Sequence, residues 1–393
     1  MSSQRGGFID SFFANHKSAV ATTTLMGTII GAGILGIPYV IAQTGFFYGL
    51  ILLMAIGVAF LFLNLFAGEV VLRTKQQHQL TGYAEKYLGK GGKLLMTFSM
   101  VFGIYGALTA YLIGEGEALR TIFGFGSPLV FTLIYFAFIS SIIYQGIKAT
   151  GKSELILITL LVVVVVSIGV LSFHQINPQN LTYLDFSKFL VPYGVVLFAY
   201  IGSAAIPELQ EELGAEKKKM KRAIIIGSTL PIIIYIFFTA IIIGIVGWDN
   251  FELLAPNERI ATIALSIYSL PALGIFANIL AVLAMFTSSL TLGIALTEIY
   301  CYDYKLPRTF SLLLTLAIPL LITLFGLTTF ITVLGLTGAI AGGLDGILIV
   351  LMYWKSKTLG DRKPEYSLPR HRVLGTIIMV MFAAGMVWQL WFN

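Results

Sequence analysis

Thirteen residues, Met26-Gly27-Thr28-Ile29-Ile30-Gly31-Ala32-Gly33-Ile34-Leu35-Gly36-Ile37-Pro38, hold four glycines and a proline inside an apolar run from about 18 to 43. A run of that length can cross about 30 Å of hydrocarbon. An ordinary spanning helix has no use for this composition. Glycine makes helical order more costly, and proline removes a donor and crowds the preceding turn. The stretch is therefore expected to break in mid-membrane and to leave N–H and C=O groups free. At that depth such groups persist only where they line a cavity or bind a ligand. The stretch reads as half of a binding site. Two other readings are weaker. Gly31-x-Gly33-x-x-Gly36 has the spacing of a dinucleotide fingerprint, which needs a preceding strand and an acid about 20 residues later. Here Thr22-Thr23-Thr24 precedes it and 50–63 carry no acid. A small-residue helix contact accounts for the glycines but not for Pro38 or the repeat described below.

The composition agrees with a membrane setting. The chain has 393 residues, 57% of them hydrophobic and only 11% charged, where a soluble domain has about 25% charged residues. Mean hydropathy is +0.90. No short apolar run with a small-residue cleavage site opens the sequence, so no cleaved signal peptide is expected. The single cysteine, Cys301, excludes an intramolecular disulfide framework. Eleven apolar runs are predicted as spans, at about 18–43, 46–72, 93–123, 127–146, 154–173, 189–213, 222–247, 272–301, 308–326, 328–354 and 373–392. With the N-terminus in the cytoplasm, 22 of the 25 lysines and arginines fall inside; only Arg120, Lys188 and Arg259 fall outside. That asymmetry sets the orientation: N-terminus cytoplasmic, C-terminus extracellular, in the cell (plasma) membrane. It also explains the net charge of +6 without nucleic acid.

Between the spans, Tyr83-Ala84-Glu85-Lys86-Tyr87-Leu88 reads as a short amphipathic helix within the inner loop 73–92. The segment 174–188 reads as a short outer linker, and 248–271 as a helical lid. A repeat adds to this. An offset of 169 residues matches Gly33 to Gly202, Ile37 to Ile206, Pro38 to Pro207 and Gly45 to Gly214. The sixth span starts from the opposite side to the first, so two broken helices head two five-helix halves of opposite topology, the pattern of an inverted-repeat transporter. The organisation expected is a cytoplasmic tail at 1–17, a first repeat at 18–173, a second at 174–354, and a cytoplasmic linker with an eleventh helix at 355–393.

The motif Gly27-Thr-Ile-Ile-Gly-Ala-Gly-Ile-Leu-Gly-Ile-Pro38 resembles the amino acid/auxin permease family of the amino acid–polyamine–organocation superfamily. Ala110-Tyr-Leu-Ile-Gly-Glu-Gly-Glu-Ala-Leu119, Phe198-Ala-Tyr-Ile-Gly-Ser-Ala-Ala-Ile-Pro-Glu208 and Thr287-Ser-Ser289 agree with it, as does the count of eleven. The resemblance implies an all-α polytopic membrane protein with a LeuT-type 5+5 inverted repeat and broken helices 1 and 6. It also implies alternating access and an amino acid substrate.

The residues give the site a chemistry of its own. A half-helix N-terminus suits a carboxylate, and the amides around Gly31, Ala32 and Gly33, next to Thr28, can supply it. Carbonyls freed near Ala199, Tyr200, Ile201, Gly202 and Ser203 suit an ammonium. By resemblance, Phe198 is the aromatic that closes over substrate. Tyr111, and less so Tyr105, would face the pocket, against the alternative that such tyrosines simply pack with the hydroxyl bonded to a neighbour. The resemblance implies a coupling cation between the first break and the eighth span. Gly27 and Ile30 would offer carbonyls and Thr287, Ser288 and Ser289 hydroxyls, an oxygen-only set suited to a hard cation such as Na+. The competing role for these hydroxyls is back-bonding to their own helix. Ile34 stands where a second sodium's asparagine would be. Among intramembrane acids, Glu69 reads as an i,i+4 partner of Arg73. Glu208, Glu211 and Glu212 read as a charge network with Lys217–Lys219 and Arg222. Glu115 and Asp345 are candidates for a proton or gating role.

The function expected is a secondary active transporter importing a neutral amino acid, with Na+ slightly favoured over H+ as the coupling ion. The alternatives are an exchanger without ion coupling and a membrane amino acid sensor. No enzyme constellation is found, since His16, His78, His174 and His371 all fall outside the membrane core. No cofactor beyond the coupling ion is expected. The partners are an amino acid and membrane lipid, with a monomer compatible and no nucleic acid.

Overall fold

The computed structural model describes residues 17–145 and 151–392; nearly all of the expected cytoplasmic tail 1–17, with Arg5 and His16, and the inner-loop Lys148 lie outside the described residues. The first apolar run is two helices, α1 (Lys17–Ile29) and α2 (Gly33–Thr44), bent by 52°. The break falls on Ile30-Gly31-Ala32, where Gly31 N–H reaches back only to Ile29 O at 3.0 Å. Pro38 is not the breaking residue. It lies inside α2, so the glycines set the break.

The remaining helices are α3 (Phe46–Leu72), α4 (Leu80–Phe123), α5 (Pro128–Gln145), α6 (Gly151–Leu171), α7 (Tyr193–Tyr200), α8 (Ile206–Leu213), α9 (Met220–Leu253), α10 (Ala261–Tyr268), α11 (Pro271–Glu298), α12 (Arg308–Leu324), α13 (Phe330–Thr337), α14 (Gly343–Leu359) and α15 (Arg372–Phe392). Among the described residues seven helices are long and apolar enough to cross a membrane, or eight if α1 and α2 form one span. The number is lower than the eleven runs of the sequence. Arg308–Leu324 is short for a span, Tyr193–Leu253 counts once although it holds both the sixth and the seventh run, and the fifth run adjoins residues outside the described ones. The expected amphipathic helix at Tyr83–Leu88 opens α4 and is set off by Gly89, whose φ of 76° only glycine adopts readily. Turns of 3-10 helix occupy the 174–188 linker, and α10 lies in the lid segment.

The sixth run also breaks. After α7, Ile201 is extended (φ −64°, ψ 114°) and Gly202 has φ −146°, before a 3-10 turn at Ser203–Ala205 leads into α8. Pro207 opens α8, where its missing N–H costs nothing. A third irregularity was not foreseen. Gly338–Gly342 forms a π turn between α13 and α14, and a Cβ at Gly338 would lie 2.0 Å from Gly194 O and 2.5 Å from Phe198 N.

Two helices gather neighbours around them: α9 contacts α1, α2 and α3, and α4 contacts α5, α11, α12, α13 and α14; the two groups also meet directly, where α14 packs on α3. Outward faces carry exposed Phe47, Ile51, Leu133, Ile134, Leu313 and Leu321, a surface suited to lipid. At the inner side, fully buried Glu69 pairs with Arg73 at 2.8 Å, as expected. It also binds Lys357 Nζ, Ser367 Oγ at 3.0 Å and Leu368 N–H at 2.8 Å. This one carboxylate clasps the linker after α14 to α3. Nearby, the Lys86 ammonium bonded to Asp361 holds that carboxyl below the usual carboxylate range.

Candidate functional site

Where α1 ends, a cavity of about 90 Å³ opens between the two packing groups. Gly27, Thr28 and Ile30 line it from the first break, Tyr111 from α4, Leu157 and Leu161 from α6, and Ala284, Thr287, Ser288 and Thr291 from α11. Gly31 faces the same space. A Cβ there would meet the Tyr111 hydroxyl at 3.5 Å and Ser288 Oγ at 3.7 Å, which is ordinary contact distance. Several hydroxyls spend their proton on their own helix. Thr28 donates to Thr24 O at 2.9 Å, Thr287 to Leu283 O at 3.2 Å and Ala284 O at 3.1 Å, and Thr291 to Thr287 O at 3.2 Å. A hydroxyl that donates to a carbonyl keeps its lone pairs, so back-bonding does not remove these oxygens as cation ligands. At about 90 Å³ the cavity suits an ion and a few waters. A small-molecule pocket needs about 300 Å³ or more, so an amino acid requires the two groups to part.

A second, apolar cavity of about 30 Å³ adjoins it along α2, α6 and α11. Ala32, Ile34, Phe238 and Met285 line it, with Gly31 shared between the break and this space.

The first break and α11 thus gather Gly27, Thr28, Ile30, Gly31, Tyr111, Thr287 and Ser288. The other expected residues lie elsewhere. Gly33 does not face open space: its Cβ would stand 2.5 Å from Ala199 Cα, so its lack of a side chain lets the two breaks touch. Gly202 abuts Ile29, at 2.4 Å from an added Cβ. Phe198, Ala199, Tyr200, Ile201, Gly202 and Ser203 line neither cavity. Tyr200 is buried, stacked on Phe60 at 6.3 Å and tilted on Tyr235 at 5.2 Å. Ser289 turns away from Ser288 and joins Tyr135 and Leu112 on a small cavity between α4, α5 and α11. The reason is helical: one residue along α11 is a rotation of about 100°. Tyr105 bonds the Tyr300 hydroxyl at 2.6 Å instead of facing the cavity. Glu212 turns inward to Thr24 Oγ1 at 2.8 Å instead of toward the lysines.

Glu115 is fully buried on α4, and among the described residues neither carboxyl oxygen has a hydrogen-bond partner. Asp345 Oδ1 on α14 likewise has none. Glu115 lies one turn beyond Tyr111 on the same helix, whereas Asp345 follows the π turn, whose Ala341 O accepts from Ser99 Oγ at 2.9 Å. The two acids therefore occupy separate places.

Three contributors lacked a sequence signal. Tyr235 of α9 reaches both breaks, with Oη 2.8 Å from Ile29 O and 2.8 Å from Ala199 O. Asn278 of α11 holds α10 through Thr262 Oγ1 at 2.9 Å and Ser266 Oγ at 2.8 Å. Arg259 lies 5.0 Å over the Tyr39 ring of α2, fastening the outer segment to the first span.

This architecture has close counterparts. The structure of MhsT in complex with L-phenylalanine superposes with a TM-score of 0.72, covering 94% of this chain and 97% of that one at 16% identity, so the fold is LeuT-like. The chain is 27% identical to "Tyrosine-specific transport system 1" of Haemophilus influenzae over 93% of itself and 94% of that protein. It is 26% identical to "Glutamine transporter 2" of Aliivibrio fischeri, over 83% and 86%. It is 21% identical to the "Low affinity tryptophan permease" of Escherichia coli, over 60% of each. These relatives are amino acid transporters and not enzymes. The family model that matches, over residues 14–389, is not the amino acid/auxin group that the motifs resemble but that of tryptophan/tyrosine permeases. By that match, the chain belongs to the tryptophan/tyrosine permease family.

Proposed function

We propose that the protein imports a neutral aromatic amino acid by alternating access, driven by a cation gradient with Na+ favoured. One observation carries the reading: carbonyl-bearing residues of the first break, Gly27 and Ile30, share a cavity with the Thr287 and Ser288 hydroxyls, at the seam between two helix groups. The substrate class rests on the relatives' tyrosine and tryptophan. The full architecture belongs to the proposal too: eleven spans in a 5+5 inverted repeat over 18–173 and 174–354, N-terminus cytoplasmic. The 22-of-25 distribution of basic residues supports it.

In this scheme the cation is cargo. The oxygens of Gly27, Ile30, Thr287 and Ser288 tie the first break to α11, so a bound cation favours one arrangement of the two groups. The substrate carboxylate meets the amides of Gly31 and Ala32 near Thr28 and Tyr111. Its side chain extends toward the apolar space beside Ile34, Phe238 and Met285. Phe198 and the α7–α8 break act from behind the contact between Gly33 and Ala199, by moving the first break. Uptake of a panel of amino acids into proteoliposomes tests this, with sodium and proton gradients imposed separately. Sodium-driven uptake of tyrosine or tryptophan is expected. Equal uptake with no gradient of either kind would return the exchanger.

Proton coupling is the second reading, and Glu115 favours it. A fully buried carboxyl on a spanning helix, with neither oxygen paired among the described residues, is a place where a coupled proton can bind. Asp345 is the second candidate for that role.

A further inference from the structure

We infer that Tyr235 is a positioning residue that couples the two helix breaks through a single hydroxyl. The inference rests on the transporter reading and extends it to a residue outside both cavities. In an unbroken helix Ile29 O would accept from Gly33 N–H and Ala199 O from Ser203 N–H. The breaks remove both donors. Ile29 closes α1 and Ala199 is one residue from the end of α7, so two half-helix ends carrying partial negative charge converge. Ile29 O keeps a bond from Gly31 N–H at 3.0 Å. The Tyr235 phenol stands between the ends, 2.8 Å from each carbonyl oxygen, and Tyr235 is fully buried. A phenol has one proton for these two acceptors. It donates to one carbonyl at a time and thereby ties the position of each break to the other. A buried carbonyl without a donor is costly, so any change of angle between α1 and α7 must transfer or break this bond. One neutral donor from α9 thus bridges two negative ends without an ion.

The test is Tyr235→Phe, which keeps the ring and removes the hydroxyl. In proteoliposomes the maximal rate of tyrosine uptake should fall by about tenfold or more, with KM changed less than about threefold. A second pair of variants guards against poor folding. Tyr235→Gln restores N–H donors and Tyr235→Leu has none at similar bulk, so Gln should retain several times the rate of Leu. A third arm needs no substrate. Thr291→Cys in a Cys301→Ser background reports the cavity, and Tyr235→Phe should slow its maleimide labelling by about threefold or more as other arrangements gain population. The inference is overturned by a Tyr235→Phe protein with wild-type maximal rate and labelling. Equal rates for Gln and Leu, or a raised KM with the rate intact, would overturn it as well. If the wild-type protein moves no amino acid at all, the transport reading fails, and the labelling arm still decides the role of Tyr235.

Discussion

The two helix breaks share the pattern Gly-x-x-x-Ile-Pro, at Gly33–Pro38 and Gly202–Pro207, yet they do different work. The first opens onto a cavity: Gly31 has room beside Tyr111 and Ser288. The second is packed shut, with Gly202 against Ile29, Ala199 against Gly33, and Tyr200 held between Phe60 and Tyr235. A freed backbone in mid-membrane can thus be used in two ways. One break offers its groups to a ligand, and the other presses its backbone against the first so that the two move together.

The largest effect should come from the contact between the breaks. Gly33→Leu places a side chain where even a Cβ lies 2.5 Å from backbone, and overpacking of this kind costs about 1–3 kcal/mol or more. Transport should be lost while some protein still reaches the membrane. Wild-type uptake by that variant would break the comparison. Gly31→Leu sharpens it. Its Cβ fits, but the rest of the side chain fills the cavity, so substrate affinity should fall by about tenfold with melting temperature little changed, while Gly31→Ala stays near wild type.

Phe198 tests whether the closed break also gates. Phe198→Ala should reduce transport more than Phe198→Tyr, because closure over the substrate needs an aromatic plane, which tyrosine keeps and alanine lacks. Equal rates for the two variants would leave Phe198 no part in closure. The smallest effect belongs to the inner surface. Asp361 has a lowered pKa because Lys86 bonds to it. Its contribution to stability is therefore present above the unfolded pKa of about 3.9 and lost as pH falls through the lower folded value. The pair is partly exposed, so Asp361→Asn should change stability at neutral pH by no more than about 1 kcal/mol. The difference should vanish in strong acid, which thermal melts at several pH values can measure.

Much of this was legible in the residues. The first break follows from four glycines in an apolar run, and the amphipathic Tyr83–Leu88 helix from its own residues in a polar inner loop. What escaped was rotation and partnership. Thr287, Ser288 and Ser289 look alike in sequence, but α11 turns by about 100° per residue, so Ser288 meets the cavity and Ser289 meets Tyr135. By sequence Gly33 reads as a donor facing substrate, because nothing along the chain announces that Ala199 comes to lie on it. Tyr235 is one of 18 tyrosines, and only the fold shows that both breaks end at its hydroxyl. Glu69 paired with Arg73 at helical spacing, but its partners beyond α3 come from nearly 300 residues away in sequence.

The most direct test uses the two adjacent serines of α11. Sodium dependence of tyrosine uptake should be measured in proteoliposomes for wild type, Ser288→Ala and Ser289→Ala. The cavity formed by the first break predicts that Ser288→Ala raises the sodium concentration for half-maximal uptake by about tenfold, since one cation ligand is lost, and that Ser289→Ala leaves it unchanged. Uptake that is the same in sodium and choline buffers, and that follows an inward proton gradient instead, would contradict the account and move the coupling site to Glu115.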